Sequence, residues 1–381
     1  MTSPLSPALP WVESPFFEEE LAARDLSPDD AEKARFYHRH GYLLLEDLFD
    51  DALIDAVRAE VEPLFASPGE EPRRSGRRFQ DAWRESAAAR RLATHPGLTR
   101  LLSVLYERRP FPFQTLHFSH GSEQRPHADT VHFDSWPPRF MCGVWVALED
   151  VGPENGTLVY YPGSQRLPDY AFDELGLRFL NHNRLDALEG ETYAGYERYE
   201  DFVERLMATH GLERRLLSVA KGTALIWSAG LVHGGAPVER PGATRWSQVT
   251  HVYFDDCVYY SPVYSNPSLG DLYLKRVVDV GSGEPVGHVY RGLPLPAIER
   301  DGAYKLMLDV EDGRDVVRLF SNRQLKHLAD ENRRLREEDV PNLRRAQANL
   351  EAAIRNIEAS PSLRLGRALT APLRWLRGRR K

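Results

Sequence analysis

Cysteine is nearly absent from this chain of 381 residues: only Cys142 and Cys257 occur. Cys142 sits in an apolar run where a buried free thiol is the expected state, which argues against a disulfide framework and fits a reducing, cytoplasmic setting. Long apolar runs are missing too, and none approaches the ~20 residues that a membrane span requires. Residues 1–20 lack a basic segment followed by an apolar one, which argues against a signal peptide. No internal repeat at a solenoid period is present. An overall basic charge is also lacking: the formal net charge is −7, so nucleic acid is not an expected partner. The charge is segregated, however. Seven basic residues and no acids lie between Ser360 and Lys381, so taking those seven from the −7 of the whole leaves −14 on residues 1–359.

What is present suits one large globular domain with appendages, since 42% of the residues are hydrophobic and 28% charged, enough to bury a sizeable core. Residues 1–26 form an expected extended N-terminal arm whose Trp11, Phe16 and Phe17 could dock on the body. Ser27-Pro28-Asp29-Asp30 marks a helix start, with Ser27 as cap and Pro28 in the first turn, running to about His40. A strand follows Gly41. Helices are predicted over Asp50–Phe65, from the spacing of Leu53, Ile54, Val57, Val61 and Leu64, and near Pro96–Tyr106. Beyond Phe111 the period changes to two. Segments Phe113–Ser119, Phe140–Glu149, Gly156–Tyr161, Gly222–Trp227 and Ser247–Phe254 have the residue types and boundaries of antiparallel strands. The Leu167–Val219 interruption, helical around Tyr199–Met207, is long enough to be a lid or binding element.

The chemistry concentrates in Gln124-Arg125-Pro126-His127-Ala128-Asp129. In an extended stretch His127 and Asp129 point the same way. His233, distant in sequence, offers a second imidazole, and two histidines with one carboxylate are the ligand set of non-haem Fe(II) oxygenases. His-x-Asp alone is a weak signal, because His132-Phe-Asp134 repeats it. Arg245 adds a planar fork able to pair with a carboxylate.

Several stretches together resemble the phytanoyl-CoA dioxygenase family of Fe(II)- and 2-oxoglutarate-dependent oxygenases over roughly residues 30–265. They are Gln124–Asp129, Met141–Asp150, Glu154–Ser164, Lys221–Trp227 and His233–Arg245. The resemblance implies a mainly β fold with flanking helices, built on a double-stranded β-helix (jelly roll, cupin-like) core. It implies iron ligation by His127, Asp129 and His233, a 2-oxoglutarate clamp at Arg245, and assistance from Ser247. His132 and Asp134 are then neighbours of the site or solvated groups. Gln165 departs from the pattern, where many relatives carry His. The implied reaction consumes dioxygen, converts 2-oxoglutarate to succinate and carbon dioxide, and hydroxylates a small-molecule or glycan-related substrate. Halide-using relatives lack the carboxylate that Asp129 supplies here, so hydroxylation is the expected outcome.

The oxygenase domain is expected over 27–320. A helical or coiled-coil segment is expected over 321–358, where Leu325, Leu328, Leu335, Leu343, Leu350, Ile354 and Ile357 recur at a spacing near seven and could support a homo-oligomer. Residues 359–381 form a basic amphipathic tail, similar to tails on bacterial proteins of polysaccharide assembly and suited to peripheral contact with the inner face of a membrane. The alternatives are a cupin-like binding protein without turnover, or a membrane-associated scaffold. The joint presence of both histidines, Asp129 and Arg245 favours the enzyme.

Overall fold

The structure is a computed structural model that describes residues 8–66, 74–75, 78–170, 175, 189–265, 273–290, 292–295, 297–300 and 303–306. All of these fall within the first of two compact units, Met1–Phe320. The helical segment and basic tail expected over 321–358 and 359–381 lie outside the described residues.

Among the described residues, six helices flank a β core: α1 (Phe17–Ala22), α2 (Pro28–His40), α3 (Asp51–Ala66), α4 (Ala87–Ala93), α5 (Pro96–Tyr106) and α6 (Glu189–Thr209). The strands that matter for the site are β1 (Tyr42–Leu45), β2 (Arg74–Ser75), β3 (Arg78–Gln80), β4 (Pro110–Phe118), β5 (Asp134–Trp136), β6 (Met141–Ala147), β7 (Leu158–Tyr160), β8 (Arg215–Leu216), β9 (Ala224–Ser228), β10 (His233–Gly235), β11 (Ser247–Phe254) and β12 (Val258–Tyr260). Short hairpins follow β12.

Local chemistry sets α2. The Ser27 hydroxyl accepts from the Asp30 N–H at 3.1 Å, and Pro28 opens the first turn, as N-terminal capping requires. Gly41 ends the helix in the left-handed region, φ 77°, the usual use of glycine after a helix. A Cβ there would also stand 2.4 Å from the Gln165 carboxamide oxygen. The arm departs from expectation: instead of remaining extended it forms a 3-10 turn, Trp11–Glu13, and α1. Its aromatics explain this. Trp11 donates its indole N–H to the Val104 carbonyl at 3.0 Å, and Phe17 stacks on His38 at 4.1 Å, so the segment buries apolar area against α2 and α5.

The main sheet is antiparallel throughout, in the order β1-β9-β6-β11-β4-β3-β2, opposite a smaller sheet ordered β10-β7-β8. Because side chains alternate, its register sorts them cleanly. Leu43, Ile226, Ala224, Cys142, Val144, Val146 and Val252 join the helical core, which includes Ile54, Val57 and Val61 of α3 and Leu98, Leu102 and Leu105 of α5. The opposite face carries Gln114, Leu116 and Phe118 of β4, Val249 and His251 of β11, Trp145 of β6 and Trp227 of β9, all lining one cavity.

Gly143 lies mid-strand among these, where glycine normally weakens a sheet. The Trp227 ring fills the space a side chain would take, with its Cε2 only 2.2 Å from a Cβ built there. Gly143→Ala is therefore expected to destabilise the fold by about 1–3 kcal/mol through overpacking. The urea unfolding midpoint measures this, and an unchanged midpoint would show that the indole can move aside.

Candidate metal centre and its cavity

His127 and His233 meet across a two-residue antiparallel bridge, each N–H bonding the other's carbonyl at 2.9 Å. The extended geometry expected for His127-Ala-Asp129 holds only in part. Ala128 is extended, but Asp129 opens a 3-10 turn, Asp129–Val131. The carboxylate nevertheless arrives beside both rings: one ligand atom from each of His127, Asp129 and His233 lies within 4.8 Å of the others, and all three residues are buried.

The two imidazoles are oriented by backbone. His127 Nδ1–H donates to the Arg125 carbonyl at 2.9 Å, and His233 Nδ1–H donates to the Leu231 carbonyl at 3.0 Å. Each Nε2 then carries a lone pair, as in metal-ligating histidine; that of His127 accepts from the Gln124 amide at 3.2 Å. His233 Nε2 is 3.9 Å from Asp129 Oδ1. The other carboxylate oxygen, Oδ2, accepts the Trp227 indole N–H at 2.8 Å and lies 3.7 Å from His251 Nε2. Burial works to raise the Asp129 carboxyl, but the His233, His251 and His127 rings and the Trp227 N–H outweigh it and hold the group below its ordinary value. Burial lowers His127 to about 3 and His132 and His251 to about 4, so these rings are neutral at pH 7.

The cavity, about 240 Å³, extends from this cluster to Arg245. Arg245 precedes β11 and is held by its neighbours: Asn155 Nδ2 donates to the Thr244 carbonyl at 2.8 Å, and the Trp246 N–H donates to Glu149 at 2.7 Å. Its side chain is only 2% exposed, its Nε has no hydrogen-bond partner, and burial alone lowers it to about 10. Among the described residues it has Phe118 and Trp145 for company, not a carboxylate. Ser247 pairs with Phe118 in register, which turns it toward the cavity face, and its buried Oγ also lacks a partner.

A match to the family described as Phytanoyl-CoA dioxygenase (PhyH) spans residues 37–243, more than half of the chain. This chain belongs to the phytanoyl-CoA dioxygenase family. By that membership it is an Fe(II)- and 2-oxoglutarate-dependent oxygenase. No curated protein matches the oxygenase. It is similar to the solved structure of SnoN, a non-heme alpha ketoglutarate dependent epimerase from nogalamycin biosynthesis, with 23% identity and a TM-score of 0.46 over 74% of this chain and 99% of that one. Two others are SnoK, the carbocyclase from nogalamycin biosynthesis (18%, TM-score 0.46, 62% and 87%), and EctD from S. alaskensis with 2-oxoglutarate and 5-hydroxyectoine (19%, 0.45, 60% and 76%).

The structure separates the two His-x-Asp motifs of this oxygenase. His132 lines the same cavity, its Nε2 2.9 Å from the Tyr196 hydroxyl. Asp134 faces away, into a second cavity beneath α6. Burial raises it to about 7, and it accepts from the Ser135 and Arg139 N–H groups at 2.8 and 2.9 Å. Gln165 lies outside the cluster and donates its amide to the His38 carbonyl at 2.9 Å. The α6 helix lies against the metal cluster's segment: Tyr199, Val203 and Met207 pack on Ala128, Val131 and Val232, and Arg125 pairs with Glu200, Asp201 and Glu204.

Sequence reasoning assigned no role to Trp227 or His251. For His251 a signal existed, since it follows Ser247 and Val249 at even spacing and must share their face. For Trp227 there was none, because its partner Asp129 lies on no strand paired with β9. Among the described residues, no helix is long and apolar enough to cross a membrane.

Proposed function

We propose that this oxygenase hydroxylates a small molecule, with His127, Asp129 and His233 holding Fe(II) and Arg245, assisted by Ser247, holding the remote carboxylate of 2-oxoglutarate. The sheet pairing supports reading the core as a double-stranded β-helix. The observation that carries the proposal is the buried Arg245, without a carboxylate partner among the described residues, in the same cavity as two histidines and a carboxylate. A guanidinium in that state is costly without a counter-ion, and a bidentate carboxylate supplies one. When bound, the metal and 2-oxoglutarate together activate dioxygen and deliver the oxidising equivalents. The chain's own residues position these groups. Backbone carbonyls fix both imidazole tautomers, Trp227 and His251 flank Asp129 Oδ2 and leave Oδ1 toward the histidines, and the apolar walls at Leu116, Phe118 and Val249 exclude water. The glycan-related reading of the substrate rests on the tail resemblance, which lies outside the described residues.

A metabolite screen coupled to succinate formation, with Fe(II) and 2-oxoglutarate supplied, tests the activity. Absence of substrate-stimulated succinate release from iron-loaded protein would favour a binding protein instead. Trp227→Phe keeps the ring against His233 but removes the N–H that orients Asp129, and is expected to weaken iron binding about 10–100-fold. Titration with Fe(II) under nitrogen reads this out, and an unchanged affinity would show that the carboxylate is held by other contacts.

A further inference from the structure

The cavity holds more positive charge than the cofactors would use. Its lining includes two cations, Arg78 and Arg245, and a single carboxylate, Asp129. Arg78 stands directly opposite Phe118 in the β3–β4 register, so both project to the cavity face. A third cation, Lys275, is bonded through its backbone N–H to the Tyr259 carbonyl at 2.9 Å. Its ammonium lies 4.7 Å from the centre of the Phe133 ring, a cavity wall, and 3.5 Å from the Ser261 hydroxyl. The Phe133 ring lies 6.0 Å from that of His132 and 4.9 Å from that of His251, which puts Lys275 on their side of the cavity that Arg78 also lines. Neither forms an ion pair with a carboxylate among the described residues, and burial lowers Lys275 to about 8.

Formal charges then decide the matter. The formal charges of Fe(II), 2-oxoglutarate, Asp129 and Arg245 sum to zero, so none of them supplies a net counter-charge to Arg78 and Lys275. Arg78 is exposed and Lys275 half-buried, and an anion at short range stabilises both through charge-assisted hydrogen bonds. We propose, resting on the assignment of this cavity to Fe(II) and 2-oxoglutarate, that Arg78 and Lys275 form an anion-binding pole for the substrate, which carries a carboxylate or phosphate group. That pole fixes the substrate by its charged end, on the side of His132 and His251, while another part of the molecule faces the metal.

The full chain, loaded with Fe(II) and 2-oxoglutarate under nitrogen, is titrated calorimetrically with acetate and, separately, with inorganic phosphate. With Arg245 occupied by 2-oxoglutarate, the loaded protein is expected to bind at least one of the two. Arg78→Gln and Lys275→Met are each expected to weaken that binding about tenfold or more, as loss of a charge-assisted hydrogen bond does. Binding of acetate alone assigns a carboxylate, and binding of phosphate alone assigns a phosphate. If the loaded protein binds neither anion, or all three proteins bind them equally, the proposal is overturned. Iron and 2-oxoglutarate affinities measured on the same samples keep the two readings apart: if the unmodified chain fails to bind these, the cofactor assignment itself is wrong.

Discussion

Asp129→Ala is expected to abolish iron-dependent decarboxylation of 2-oxoglutarate, and His233→Ala to do the same. Each removes one of three ligand atoms gathered within 4.8 Å, and the alanine at 129 also leaves the Trp227 N–H without its acceptor. Two remaining ligands do not make the facial set that such iron sites use. The second His-x-Asp motif provides the control. Asp134 is committed to the Ser135 and Arg139 N–H groups and to the Tyr260 hydroxyl at 3.3 Å, so Asp134→Asn preserves its shape and should leave iron binding intact. Iron content and succinate release, measured on variants whose thermal unfolding shows them folded, check both statements. Loss of iron from the Asp134 variant with retention in the Asp129 variant would move the metal to the second motif.

Arg245→Leu is expected to weaken 2-oxoglutarate binding by about 2–5 kcal/mol, the cost of truncating one member of a buried charge pair, with iron affinity unchanged. The same substitution should not destabilise the protein in the absence of 2-oxoglutarate, because it removes a buried cation that has no carboxylate partner among the described residues. The two effects together distinguish a ligand clamp from a structural arginine. In the unmodified chain, 2-oxoglutarate at about 100 times its Kd should raise stability by roughly 2.7 kcal/mol, and this gain should vanish in the variant. An unchanged 2-oxoglutarate affinity would show that another cation is the clamp.

Much of the β core was legible in the sequence because period-two alternation and turn residues are local signals. The predicted strand Ser247–Phe254 and the helix Pro96–Tyr106 coincide with β11 and α5. The cap of α2 was legible for the same reason, since Ser27, Pro28 and Gly41 act within a few residues of one another. The cluster of His127, Asp129 and His233 and the proposed clamp Arg245 could be named from residue type, order and resemblance. Their geometry was not legible. His127 and His233 are joined by a bridge between segments about a hundred residues apart, and Asp129 reaches them from a 3-10 turn, not from the strand that alternation implied.

The tertiary structure alone decided which His-x-Asp shares a cavity with His233. Both motifs have the same local pattern, and only the packing of α6 and β12 around Asp134 turns it away. It alone placed Trp227 against Asp129 and packed its indole into the space beside Gly143. It alone left Arg245 buried with no carboxylate partner among the described residues. Such facts depend on contacts between residues far apart in the chain, whose desolvation and hydrogen bonding exist only after the sheet has closed, whereas propensity, capping and alternation act on neighbours and can be read before any fold forms.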